Sequence, residues 1–116
     1  MLGVVRPGRR QITLNSGLRG ASALDCAPLL VHELQHVADW LTFGRELTTL
    51  RGCLATEARA FQTQAATWVE LNGGRLKPPA NQLQREHNAI AQAIERDSAA
   101  FANRLHAAYE EECSPG

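Results

Sequence analysis

Five consecutive residues, His32-Glu33-Leu34-Gln35-His36, combine two histidines and a glutamate at a spacing that suits metal chemistry. On an α-helix, residues four positions apart lie on one face, one turn from each other. Two imidazoles placed in this way can both bind one zinc ion at about 2.0–2.1 Å. Glu33 then lies beside a zinc-bound water and can act on it as a general base. The pentapeptide therefore predicts zinc ligands at His32 and His36, with Glu33 as the catalytic residue.

The flanking residues predict a helix over about 26–43. Asp25 is a typical N-cap, Pro28 is tolerated in a first helical turn, and Gly44 is a typical residue just after a helix. On a helical wheel the two histidines fall on a polar strip, opposite an apolar back. That back consists of Leu30, Val31, Leu34, Val37, Ala38 and Leu41. The sorting of polar and apolar residues is the pattern that a site on one helix face requires.

A catalytic zinc takes three protein ligands and leaves one position open, so a third ligand must lie elsewhere in the chain. A second helix is predicted over about 53–72, ended by Asn72-Gly73-Gly74. Glu57 lies on its apolar face, where an unpaired carboxylate is costly. We therefore predict Glu57 as the third ligand. That face comprises Leu54, Glu57, Phe61, Gln64, Trp68 and Leu71.

Two alternatives to a Glu57 ligand arise from the same residues. Glu57 could instead form a buried salt bridge with an arginine, either Arg59 or Arg104. The third ligand could also come from a different side chain. The competing candidates are Glu46, Glu70, His87 and His106.

The remaining segments predict a mostly helical α+β domain. A short β-hairpin is expected over residues 2–14, because Pro7-Gly8 fits the centre of a type II turn. The C-terminal segment, about 81–112, has helical periodicity and forms one long helix or two helices with a break near Asp97. With 116 residues, the chain is expected to form one domain, 1–116.

Composition excludes several classes of protein. Lys+Arg and Asp+Glu are balanced at 12 each, whereas a nucleic-acid binder usually has a basic excess. The apolar runs are too short for a membrane span. No signal peptide is recognisable, so a cytoplasmic location is expected, with secretion open if a leader was removed. An exposed strand edge would allow a homodimer.

The three cysteines, Cys26, Cys53 and Cys113, leave the redox state open. They form no C-x-x-C pair and their number is odd. Three thiols in a reducing compartment are the favoured interpretation. A disulfide between Cys53 and either of the other two is the alternative. Cys113 also suggests a zinc-binding tail that keeps the site latent, because a thiolate is a good zinc ligand.

His32-Glu33-x-x-His36 followed by Glu57-Ala58-Arg59-Ala60 resembles the gluzincin group of zincin metallopeptidases. The length of the chain is similar to that of the single-domain minigluzincins. The resemblance covers mainly residues 10–70 and implies an active-site helix, a glutamate helix with the third ligand, and a C-terminal helical segment. It also implies that Ile12 to Asn15 form an edge strand that pairs with an extended substrate.

The resemblance implies hydrolysis of a peptide bond in a peptide or protein substrate, by a zinc-bound water activated by Glu33. Such a site usually needs a donor to the oxyanion. The candidates are Tyr109, His106, His87 and Arg59. The alternative is a catalytically silent or latent zincin scaffold that binds zinc and a protein partner. A metal-free helical interaction domain is a further alternative.

One departure from the gluzincin pattern affects the groups that orient the zinc ligands. Many gluzincins have a carboxylate four positions after the third ligand, and Phe61 stands there in this chain. Asp39, which lies near the metal strip, could orient a zinc-binding histidine instead. The alternative is that Asp39 is an ordinary solvent-facing residue of the helix.

Overall fold

The computed structural model describes residues 3–5, 12–14 and 22–114, and within the last range it is built from four α-helices. Helix α1 spans Ala23–Phe43, α2 spans Leu50–Leu71, α3 spans Gln82–Arg96 and α4 spans Ser98–Cys113. A 3-10 helix, Gly44–Thr48, connects α1 to α2. Two three-residue strands, β1 (Gly3–Val5) and β2 (Ile12–Leu14), pair antiparallel.

The predicted α+β class is wrong, because helices form 85% of residues 22–114 and this range contains no strand. A short β-hairpin was expected over residues 2–14. The paired segments are only three residues long, and a two-stranded ribbon of that size has no independent stability in water. Within residues 22–114 the core is therefore built by helix packing. The rest of the predicted hairpin, including its Pro7-Gly8 turn, lies outside the described residues.

The helix ends follow from local capping. Helix α1 begins at Ala23, three residues before the predicted start, because Ser22 caps it by accepting the backbone N–H of Asp25. Asp25 was the expected cap and lies in the first turn instead. Gly44 ends the helix as predicted, with a φ of 57° that favours glycine.

The other predicted helices are confirmed, with small changes at their ends. Helix α2 begins at Leu50 because Thr49 caps it, and it ends at the predicted glycine pair, where Gly73 and Gly74 have positive φ. The C-terminal segment forms two helices. Asp97 separates them, since it ends α3 and its side chain caps α4 by accepting the N–H of Ala100.

Helix α2 is the centre of the fold, since it packs against α1, α3 and α4. Its buried residues include Ala60, Phe61, Ala65 and Trp68. The approach of the 3-10 helix to the start of α2 requires Gly52, because a Cβ there would lie 1.9 Å from the Glu46 carbonyl oxygen. None of the described helices is long and apolar enough to cross a membrane.

A disulfide between Cys53 and Cys113 ties the first turn of α2 to the last turn of α4, and Cys26 is free. The favoured interpretation of three thiols is therefore wrong. The hypothesis of a latent, zinc-binding tail is wrong as well. Cys113 is buried in α4 and its sulfur is bonded to Cys53, so it is not available as a ligand.

The face of α1 that points towards the core is its polar strip, the face that carries the two histidines. His32, Glu33, His36 and Asp39 are buried, together with Asp25. The apolar back, by contrast, is largely turned outwards, and three of its leucines are among the most exposed large hydrophobic residues: Leu30, Leu34 and Leu41. The interface between α1 and α2 is consequently a polar one, and the candidate site lies within it.

Candidate metal centre

Two histidines of α1 meet a glutamate of α2 at this interface. Nε2 of His36 lies 3.1 Å from Oε1 of Glu57, and Nε2 of His32 lies 3.9 Å from Oε2 of the same carboxylate. One ligand atom from each residue lies within 4.8 Å of the other two. Tetrahedral ligands at ordinary zinc bond lengths are about 3.3 Å apart. These three side chains can therefore hold a metal ion after only small movements.

The inner atoms of the three side chains are buried, and apart from the contacts between Glu57 and the two histidines they have no hydrogen-bond partner among the described residues. They are Nε2 of His32, Nε2 of His36 and Oε2 of Glu57. Leaving a buried polar atom without a partner costs about 1–3 kcal/mol, and native proteins seldom do so. Two imidazole nitrogens and a carboxylate oxygen are also a donor set that zinc prefers. The residues present thus fit a divalent cation.

The outer nitrogen of His36 is held by a hydrogen-bonded chain. Nδ1 of His36 lies 3.0 Å from the hydroxyl of Thr56, and that hydroxyl donates to Oδ2 of Asp39 at 2.6 Å. The same carboxylate accepts from Arg59 Nε at 2.9 Å and from Gln35 Nε2 at 3.0 Å. Asp39 is 4% exposed, so it is not a solvent-facing residue. It reaches the predicted ligand through Thr56.

The outer nitrogen of His32 is held by an amide. Nδ1 of His32 lies 2.8 Å from Oε1 of Gln64, which projects from α2 two turns after Glu57. The ring of Phe61 meets the His32 ring edge-on, with 4.6 Å between centroids. Because an amide oxygen can only accept, it receives the Nδ1–H of His32. The Nε2 lone pair of His32 is then directed towards Glu57 and is available to a metal.

Burial and charge give the two histidines different proton affinities. Burial, followed by the charge of His36, lowers the pKa of His32 to about 4. Burial also disfavours the charged form of His36, but the adjacent Glu57 carboxylate outweighs it and raises the pKa of His36. At neutral pH, His32 is therefore neutral, which is the form that binds a metal.

Tyr109 is the oxyanion candidate that the fold brings towards the site. Its ring contacts Phe61, with 6.1 Å between centroids. Burial, followed by the negative charges of Glu57, Glu112 and Glu33, raises the pKa of Tyr109. Its hydroxyl therefore stays protonated and is able to donate a hydrogen bond.

The other oxyanion candidates lie elsewhere or are already engaged. His106 is exposed on α4. Arg59 donates to Asp39 and lies over the ring of Phe43. His87 is 1% exposed and bonded within the core.

The alternatives for Glu57 are not seen in the structure. Glu57 pairs with the two histidines, whereas Arg59, one of its two expected arginine partners, pairs with Asp39. The other expected partner, Arg104, is exposed. Three of the competing ligand candidates are exposed as well: Glu46, Glu70 and His106.

Sequence reasoning did not assign a role to Thr56 or Gln64, yet both hold the histidines. The sequence positions of both residues relative to Glu57 could have indicated this role. Thr56 directly precedes Glu57. Gln64 follows Glu57 by seven positions, so Gln64 lies on the same helix face as Glu57. A polar residue on an otherwise apolar face was the observation that could have found Gln64.

Comparison of the chain with protein-family models, with curated proteins and with solved structures found no match. The gluzincin resemblance consequently stays a prediction based on the motif residues. Any function assigned to the chain depends on the geometry of the site.

Proposed function

We propose that this chain is a zinc-dependent metallopeptidase of the gluzincin type, which hydrolyses peptide bonds. The observation that supports the proposal most directly is the meeting of His32, His36 and Glu57, whose buried inner atoms have no partner among the described residues apart from one another. Glu33 supports it further, because it follows the first ligand directly and is also buried at this interface.

The reaction assigns a separate task to each residue. His32, His36 and Glu57 would hold the zinc ion, which when bound would acidify a water and polarise the scissile carbonyl. Glu33 accepts a proton from that water and returns it to the leaving amine. Tyr109 donates from α4 to the oxygen on which negative charge develops. Thr56 and Gln64 hold the outer nitrogens of the ligand histidines in place.

A comparison of Glu33→Gln with the wild type tests this proposal. Glutamine keeps the size of the side chain but cannot accept the proton. We expect one zinc per chain in both proteins, and cleavage of a mixed peptide library by the wild type alone. Glu46→Gln is the matched control, since Glu46 is an exposed glutamate of the 3-10 helix. Equal cleavage by wild type and Glu33→Gln would refute the assigned mechanism, and the absence of zinc would refute the site.

One observation favours a second candidate, a zinc-holding scaffold that is latent or catalytically silent and binds a protein partner. His32 is 0% exposed and Glu33 is 1% exposed. A peptide must reach both the metal and the base, so such burial favours a closed state. This candidate predicts one zinc per chain with no cleavage by either protein. The same assay therefore distinguishes the two candidates.

A further inference from the structure

A line of hydrogen bonds leads from His32 away from the metal centre and across the core. Gln64 Oε1 lies 2.8 Å from Nδ1 of His32, and Gln64 Nε2 lies 3.2 Å from Nδ1 of His87 on α3. Nε2 of His87 lies 2.7 Å from the backbone carbonyl oxygen of Asp25. All three side chains in this line are at most 2% exposed, so water does not readily substitute for any partner.

The last group in the line sets the direction of every hydrogen bond before it. A backbone carbonyl oxygen can only accept, so Nε2 of His87 must bear a proton. In the neutral ring Nδ1 of His87 is then an acceptor, and burial favours the neutral ring by lowering the pKa of His87. Gln64 must therefore present its NH₂ group to His87 and its oxygen to His32.

We propose that His87 is a positioning residue, which selects the Nδ1–H tautomer of His32 through Gln64 and so leaves Nε2 of His32 available to the metal. His87 itself does not contact the ligands. Without it, the Gln64 amide has no reason to prefer one orientation. A rotated amide would donate to Nδ1 of His32 and move its proton to Nε2, facing the Glu57 carboxylate 3.9 Å away. In that tautomer Nε2 has no free lone pair, so it cannot bind a cation beside Glu57.

This inference rests on the proposed function only in taking His32 as a ligand, and its first test needs no metal. In chelator-treated protein, imidazole ¹⁵N chemical shifts and one-bond ¹⁵N–¹H couplings report the tautomer of each histidine. We expect the Nδ1–H form of His32 in the wild type and a mixture of both forms in His87→Phe. Phenylalanine retains the ring that packs against Trp68, 4.9 Å away between centroids. An unchanged Nδ1–H form in folded His87→Phe would overturn the inference.

A second measurement separates positioning from a general loss of structure. One hydrogen bond fixes the tautomer, so His87→Phe should weaken zinc binding about tenfold. In a Gln64→Leu background the amide that links the two rings is absent, so a change at position 87 no longer reaches His32 through hydrogen bonds. There, His87→Phe should change zinc affinity less than twofold. Equal weakening in both backgrounds would show that His87 acts only through packing.

A control and a fallback complete the design. Gln62→Leu alters an exposed glutamine of the same helix and should leave both the tautomer and the zinc affinity unchanged. If His87→Phe does not fold, Gln64→Leu provides the same test closer to the ligand. It should weaken zinc binding about 10- to 100-fold, and wild-type affinity would overturn the inference. Absence of zinc from the wild type would refute the proposed function while leaving the tautomer measurement valid.

Discussion

The hydroxyl of Thr56 is the group through which Asp39 reaches a predicted zinc ligand, and its removal is a sharp test of the site. Thr56 accepts from Nδ1 of His36 and donates to Oδ2 of Asp39. Thr56→Val replaces the hydroxyl by a methyl group of similar size. The substitution therefore deletes two hydrogen bonds and creates almost no cavity.

The structure determines how large the effect should be. Asp39 keeps two donors, Arg59 and Gln35, so its charge remains compensated. The Nδ1–H of His36 loses its partner inside the protein, at a cost of about 1–3 kcal/mol. The lost bond to the carboxylate adds about 1.5–3 kcal/mol. Because such terms overlap, we expect the metal-free protein to lose about 3 kcal/mol of unfolding free energy. Zinc affinity should fall about 10- to 100-fold.

Two measurements check this prediction. Urea unfolding of chelator-treated protein gives the change in unfolding free energy, and competition with a metal-binding dye gives the zinc affinity. Thr56→Ser is the matched control, because it retains the hydroxyl and loses only a methyl group, so its zinc affinity should stay close to that of the wild type. The reasoning is refuted if Thr56→Val binds zinc as tightly as Thr56→Ser.

Three further predictions concern the disulfide, the pH dependence and the oxyanion donor. Because the Cys53–Cys113 disulfide spans 60 positions, Cys53→Ser should lower the unfolding free energy by about 4 kcal/mol, and an unchanged urea midpoint would contradict this. Metal-free protein should be most stable near pH 6.5. Below pH 6.5 the unfolded state takes up a proton on His32 that the folded state does not, because the pKa of His32 in the folded protein is lowered to about 4. As the pH falls towards 4, this difference lowers the unfolding free energy by up to about 3 kcal/mol. Above pH 6.5, stability falls as the pH rises through the raised pKa of His36. Urea unfolding at pH 5, 6.5 and 8 tests this, and a monotonic trend would contradict it. Tyr109→Phe should reduce kcat at least about 100-fold without changing zinc affinity; steady-state kinetics and zinc titration decide, and an unaltered kcat would exclude the role.

The Cys53–Cys113 disulfide is one of the two pairings that the sequence left open. The sequence could not decide between the pairings of three cysteines. Pairing depends on which helix ends meet, and α2 and α4 meet only once both have packed.

Helix ends and the residues that could bind a metal were predictable because they depend on short-range chemistry. Gly44, the Gly73-Gly74 pair and the break at Asp97 act within one turn of the chain. The spacing of His32 and His36 likewise determines their common face on any helix. Glu57 was recognisable because a carboxylate on an apolar face needs a partner or a metal.

Which face of α1 is buried could not be predicted from its own sequence. A helical wheel separates the polar strip from the apolar back, but it does not say which of them faces the neighbouring helix. In the structure the strip faces inwards, and Nδ1 of each of its two histidines hydrogen-bonds to a side chain of α2, Gln64 for His32 and Thr56 for His36. Those partners stand on α2, at least twenty positions from the histidines that they hold.

The sequence by itself therefore determined which residues could bind a metal, because that property lies in side-chain type and helical spacing. Only the tertiary structure decided that these residues meet, which nitrogen of each histidine faces Glu57, and what holds the opposite nitrogen. The reason is physical: hydrogen bonds act over about 3 Å, so they depend on how α1, α2 and α3 pack. His87 belongs to this second group, since its contact with Gln64 exists only where α3 lies against α2.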